Sequence, residues 1–138
     1  MIDTTTETGG RVAQRLQTEH VIWLTTVRAD GQPQSSPVWF LWDGDTFLIY
    51  SQPTAQKLRN IRRHPGVSLH LNSDERGGNV VTIDASATIE ADAPPANAAS
   101  AYGEKYRDGI GAIGHTPESL AQTYSVALRV TPRRVRAW

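Results

Sequence analysis

The chain has 138 residues and a formal net charge of zero, with 14 Lys and Arg against 14 Asp and Glu. That length suits one domain, 1–138, with a true core, and the charge balance argues against a nucleic-acid binder. There is no cysteine, which excludes disulfides, thiolate metal sites and cysteine nucleophiles.

The first ten residues are polar and rich in threonine, with neither the basic nor the apolar region of a secretory signal. Residues 1–9 are expected to be a flexible N-terminus. A short amphipathic helix is predicted over 10–18, where Val12 and Leu16 fall four apart. From His20 the period changes. Val21, Ile22, Trp23, Leu24, Thr25, Thr26 and Val27 are almost all apolar, β-branched or aromatic, which predicts a strand buried on both faces. Asp30-Gly31 is a hairpin turn signal. A second strand is predicted over 34–42, with Val38, Phe40 and Trp42 on one face and Trp39 and Leu41 on the other. Asp43-Gly44-Asp45 is another turn, and 46–50 a third strand, again apolar on both sides. Three such strands point to a closed or nearly closed antiparallel barrel, its outer face covered by a helix or a partner chain. The longest apolar run, 38–42, is far too short to span a membrane. A soluble, cytoplasmic protein is expected.

A helix is predicted over 53–64, with Leu58 and Ile61 inward and Lys57, Arg59, Arg62 and Arg63 around its other faces; Pro65 ends it. Alternation predicts a fourth strand at Val67, Leu69 and Leu71, and a fifth at Val81, Ile83, Ala85, Ala87 and Ile89. Residues 94–107 read as an alanine-rich helix with Tyr102 and Tyr106 four apart. Thr116-Pro117 has the form of an N-cap followed by proline, and 124–130 makes a sixth strand. Many short antiparallel strands exclude a doubly wound parallel sheet.

Most chemical motifs fail on context. Gly109-Ile110-Gly111-Ala112-Ile113-Gly114 matches the dinucleotide fingerprint, but a helix precedes it and no acid follows at ribose distance, so a flexible connector or lid is expected. His20, His64, His70 and His115 form no ligand motif, and no metal is expected. No nucleophile elbow is present, and Asp43 and Asp45 belong to a turn. What remains is the strand-to-helix junction at Ser51 and Thr54, with Lys57 one turn in. Free N–H groups, the helix dipole, two hydroxyls and a lysine make a seat for a phosphate or carboxylate. The same residues also suit a solvated basic helix with Thr54 as its N-cap, and the residues alone leave both open.

Tyr50-Ser51-Gln52-Pro53-Thr54-Ala55-Gln56-Lys57, preceded by Pro37-Val38-Trp39-Phe40-Leu41-Trp42 and a DG turn, resembles the flavin-phosphate segment of the pyridoxamine-phosphate-oxidase-like split β-barrel family. The ordered set Ser36 to Phe40, Trp42 to Gly44, Lys57 to Arg63 and His64 to Val67 is similar to its actinobacterial branch, which uses the deazaflavin coenzyme F420. The resemblance runs from about Glu19 to Trp138. It implies a mainly β fold, a six-stranded antiparallel split β-barrel of the FMN-binding type with short helices, and a homodimer with cofactor sites at the interface. Carried over by position, the backbone of Pro37, Val38, Trp39 and Phe40 would line the ring system. Tyr50 and Ser51 would meet the phosphate or ribityl region, Gln56 and Lys57 the phosphate, and Asn79 would reach across from the partner chain, while Thr54 joins them as a hydroxyl of the anion seat.

Two departures from the family pattern matter. Pro37 stands at the start of the second strand, where pyridoxamine phosphate oxidases place an arginine, and 131–138 holds no match to their substrate-binding Arg and His. Vitamin B6 synthesis is therefore not expected, and the cofactor expected is coenzyme F420 rather than the alternative, FMN. Arg59, Arg62 and Arg63, with the C-terminal arginines, suit its oligoglutamate tail, or are a solvated face. The activity so implied is hydride transfer with a small unsaturated or quinone-like substrate. An FMN-dependent oxidoreductase and a non-catalytic cofactor carrier are the alternatives.

Overall fold

The computed structural model describes residues 2–138, and Met1, part of the expected flexible terminus, lies outside them. The elements are α1 (Glu7–Thr18), β1 (Ile22–Val27), β2 (Pro33–Val38), β3 (Leu41–Trp42), β4 (Phe47–Ser51), α2 (Gln56–Arg63), β5 (Gly66–His70), β6 (Val81–Ile89), α3 (Ser100–Lys105), α4 (Arg107–Ala112), α5 (Pro117–Thr123) and β7 (Val126–Ala137). Helix α1 begins three residues before the expected 10–18. The Thr6 side chain accepts from the Gly9 N–H as its N-cap, which draws Glu7 to Gly9 out of the expected flexible segment.

All strands form one antiparallel sheet in the order β2-β1-β5-β6-β7-β4-β3. Its two edge strands, β2 and β3, are joined by Trp39 and Phe40 alone. A sheet whose edges lie two residues apart must curl round on itself, and the result is the expected mainly β split barrel. It has seven strands rather than six, because the strand predicted over 34–42 breaks at that corner. Trp39-Phe40 leave the ladder, and the chain re-enters it on the far side of the barrel beside β4.

The barrel interior is one apolar cluster, including Leu24, Phe40, Phe47, Ile49, Leu69, Ile83 and Leu128, capped by Val12 and Leu16 of α1 and Leu58 and Ile61 of α2. Strand β4 is buried throughout. Phe47 and Ile49 face the interior, whereas Leu48 and Tyr50 face a second cluster with Tyr102, Tyr106, Ile110 and Leu120. Helices α3–α5 thus cover the outside of β4 and β7, as the doubly apolar pattern required. They do not cover β1, where Trp23, Thr25 and Val27 stay half-exposed and the expected burial on both faces is met on one. Strand β7 runs on past the predicted 124–130 despite Pro132. Its register with β6 shifts at Asp84/Ala85, and a bulge admits a proline because no ladder N–H is needed there.

Candidate functional site

The corner between β2 and β3 is held from outside by two residues of the α3–α4 junction. The Tyr106 ring stacks on Trp39, centroids 4.4 Å apart and 3° from parallel. Its hydroxyl accepts from the Phe40 N–H at 2.8 Å and lies 2.6 Å from the His20 carbonyl. Lys105 donates to the Phe40 carbonyl at 2.7 Å and sits 3.7 Å over the Phe40 ring. Burial pushes the Lys105 ammonium down to about 8. A lysine so depressed makes its stabilising contribution above the unfolded value and loses it as pH falls through the folded one. Unfolding free energy is therefore expected to rise between about pH 8 and 10, and Lys105→Met to flatten that rise in urea titrations. A wild-type profile that falls across the window would refute it.

Beside the corner lies a cavity of about 340 Å³, lined by Pro37, Val38 and Trp39 on one wall, Tyr50, Ser51 and Gln52 at the end of β4, Ala55 and Lys57 at the start of α2, and Tyr102, Ile113, Leu120 and Tyr124 from the helical cover. Six of the residues singled out in the sequence meet here: Pro37, Val38, Trp39, Tyr50, Ser51 and Lys57. Four do not. The Phe40 side chain is fully buried in the barrel core. Thr54 is exposed in a turn, its carbonyl accepting from Arg59 at 3.3 Å. Gln56 donates to the buried Asn60 side chain at 2.9 Å and accepts from Arg59. Asn79 is exposed on the loop before β6, its carbonyl accepting from Arg15. The contributions of Tyr102, Ile113, Leu120 and Tyr124 carry no local signal, because only packing brings α3–α5 against β4.

The junction also differs from the sequence expectation. Pro53 and Thr54 form a turn closed by the Ala55 N–H to the Gln52 carbonyl at 3.2 Å, so α2 starts at Gln56 rather than at 53. Its N-cap is Ala55, not Thr54, with no side-chain hydrogen bond to the first turn. An alanine cannot satisfy those N–H groups. Lys57, the only charged residue lining the cavity, has no hydrogen-bond or ion-pair partner among the described residues, and burial lowers its pKa. Two of the C-terminal arginines expected to suit an acidic tail are committed elsewhere: Arg129 pairs with Glu90 and Asp43, and Arg136 with Asp84. The fingerprint-like glycines are not a loose connector. Gly109 and Gly111 lie inside α4, and Gly114, at φ +81°, takes the left-handed conformation that ends it. No group of His, Asp and Glu able to hold a metal occurs among the described residues.

A family model for pyridoxamine 5'-phosphate oxidase matches residues 9–138. The chain belongs to that family. No curated protein matches the sequence. Among solved structures, this family member is similar to a conserved hypothetical protein from Mycobacterium tuberculosis at 24% identity and TM-score 0.73, over 96% of this chain and 84% of that one. It is similar to an F420 reductase at 24% identity and TM-score 0.68, over 89% and 94%. HutZ, a heme storage protein from Vibrio cholerae, aligns at 20% identity and TM-score 0.65, over 93% and 92%. At these identities the likeness concerns the fold. No helix among the described residues is long and apolar enough to cross a membrane.

Proposed function

We propose that the cavity holds a flavin-type cofactor and that the protein is an F420-dependent oxidoreductase, passing hydride between the deazaflavin and a small unsaturated or quinone-like substrate. The observation that carries this reading is Lys57, a half-buried ammonium without a counter-ion in a cavity otherwise free of charge. With the buried Ser51 and the uncapped first turn of α2 it suits a phosphate, while Trp39 and the backbone of Pro37 and Val38 offer a flat apolar wall for a ring system. The hydride chemistry is the cofactor's own when bound; the chain supplies seat, orientation and a dry wall. No protein acid or base is required, in keeping with a cavity that holds neither carboxylate nor histidine.

Deazaflavin is preferred over FMN because Pro37 stands where the oxidases proper use an arginine, and because Arg62 and Arg63, exposed and without ion pairs among the described residues, suit an oligoglutamate tail. The half-exposed Trp23 and Val27 on the outer face of β1 favour a homodimer; within this reading Asn79 reaches the partner's site and the protein works in the cytoplasm. Titration of the purified protein with F420 and with FMN, followed by fluorescence, is expected to give micromolar binding of F420. Micromolar FMN binding with no response to F420 would overturn the cofactor choice. Binding without turnover of enones and quinones would leave a carrier.

A further inference from the structure

Three tyrosines are buried where the helical cover packs on β4: Tyr50 of the strand itself, and Tyr102 and Tyr106 of the cover. Tyr50 donates to the Pro94 carbonyl at 2.7 Å, and the Tyr106 hydroxyl is bonded at the Phe40 corner. Tyr102 is only 3% exposed, yet its hydroxyl has no partner among the described residues. No side-chain nitrogen or oxygen fully sealed from solvent lacks a partner there, so this hydroxyl reaches solvent, and the cavity that Tyr102 lines is the opening beside it. The ring is held by Tyr50 and Tyr106, each 4.9 Å away between centroids, and the direction of the O–H group is thereby restricted. Burial pushes the phenol far above its usual range, which keeps it protonated and therefore a donor.

Around that donor the wall is Trp39, Ile113, Leu120 and Tyr124, with Ile113 52% exposed at the cavity. A second anion beside the cofactor's phosphate would find no cation here, and placing it against such a wall is costly. A flat apolar molecule suits such a wall, but one without an acceptor leaves the Tyr102 donor unmatched, a cost that an acceptor oxygen recovers.

We propose that Tyr102 reads the substrate: its phenol donates a hydrogen bond to the carbonyl oxygen of an uncharged, planar, largely apolar molecule held against Ile113, Leu120 and Tyr124. This assignment rests on reading the cavity as the redox site. It is tested with 1-tetralone, a neutral aromatic ketone, and tetralin, its hydrocarbon counterpart. Each is titrated by calorimetry into the protein saturated with whichever of F420 or FMN it takes, or into the bare chain if it takes neither. Wild type should bind the ketone about five- to tenfold more tightly, as one hydrogen bond allows. Tyr102→Phe should abolish that preference by weakening the ketone, with tetralin bound as tightly as in wild type or more tightly, and should leave cofactor affinity unchanged. The variant removes only a hydroxyl without a protein partner, so its melting temperature should match wild type.

A preference absent from wild type, a preference that survives in Tyr102→Phe, or no binding of either probe overturns the assignment. So does a weakened cofactor affinity in the variant, which would place Tyr102 in the cofactor's own seat. A chain that takes neither cofactor but shows the Tyr102-dependent preference would sink the redox reading and leave the carbonyl site standing. Cofactor binding without the preference would do the reverse.

Discussion

Lys57→Ala is expected to weaken cofactor binding by roughly 1.5–3 kcal/mol, the range for a hydrogen bond to a charged group. The ammonium stands half-buried without a carboxylate, so the free protein carries part of its desolvation cost. An incoming phosphate relieves that cost and adds its own hydrogen bond. The same reasoning predicts an opposite sign for stability: Lys57→Met should unfold at equal or higher urea concentration than wild type, while binding the cofactor more weakly. A lysine with a merely structural role would lose stability instead. Arg59 is a useful contrast, since its guanidinium is already bonded to Gln56 and to the Thr54 carbonyl, and its removal should change affinity little. Raising salt from 0.1 to 1 M shortens the screening length from about 10 to about 3 Å. That should weaken F420 more than FMN if exposed Arg62 and Arg63 hold the acidic tail. An unchanged dissociation constant in Lys57→Ala would remove this residue from the site.

Tyr106→Ala is expected to cost about 3–5 kcal/mol of unfolding free energy, as for a large aromatic truncated in a core. Tyr106→Phe should cost about 1–3 kcal/mol, the penalty for leaving a buried donor unsatisfied. The residue is 2% exposed and packs at the point where the sheet leaves one edge and rejoins at the other. Without its hydroxyl the Phe40 N–H, on a fully buried residue, has no acceptor. Without its ring Trp39 has lost the surface it stacks on. Because Pro37, Val38 and Trp39 wall the cavity, Tyr106→Ala should also weaken whatever the cavity holds. Denaturation midpoints for both variants give the answer. Wild-type midpoints would show that the corner is held by something else.

The two variants probe different parts of what was legible in the sequence. The basic junction was visible as residues in order, and Lys57 is where that order pointed. Its cap is not legible there, because Pro53-Thr54 looks like a helix start and the Ala55-to-Gln52 turn that displaces it depends on how β4 leaves the sheet. Tyr106 was visible only as one of two tyrosines four apart on a helix. Nothing local distinguishes a tyrosine that latches the corner from Tyr102, whose hydroxyl opens onto the cavity, since what sets them apart, Phe40 beside Tyr106 and Tyr50 beside Tyr102, lies more than forty positions away along the chain.

By itself the sequence determined the antiparallel strands, the helix that follows β4, the double apolar face of β4 and the basic cluster around Lys57. Each of these follows from side-chain period and composition within a few residues. Only the tertiary structure decided that 34–42 breaks into two strands on opposite edges, that Pro132 sits at a bulge, and that α3–α5 fold over β4 to complete the cavity. Those outcomes depend on closing the sheet and burying Leu48 and Tyr50 on its outer side. Such long-range packing is not determined by any window of the chain.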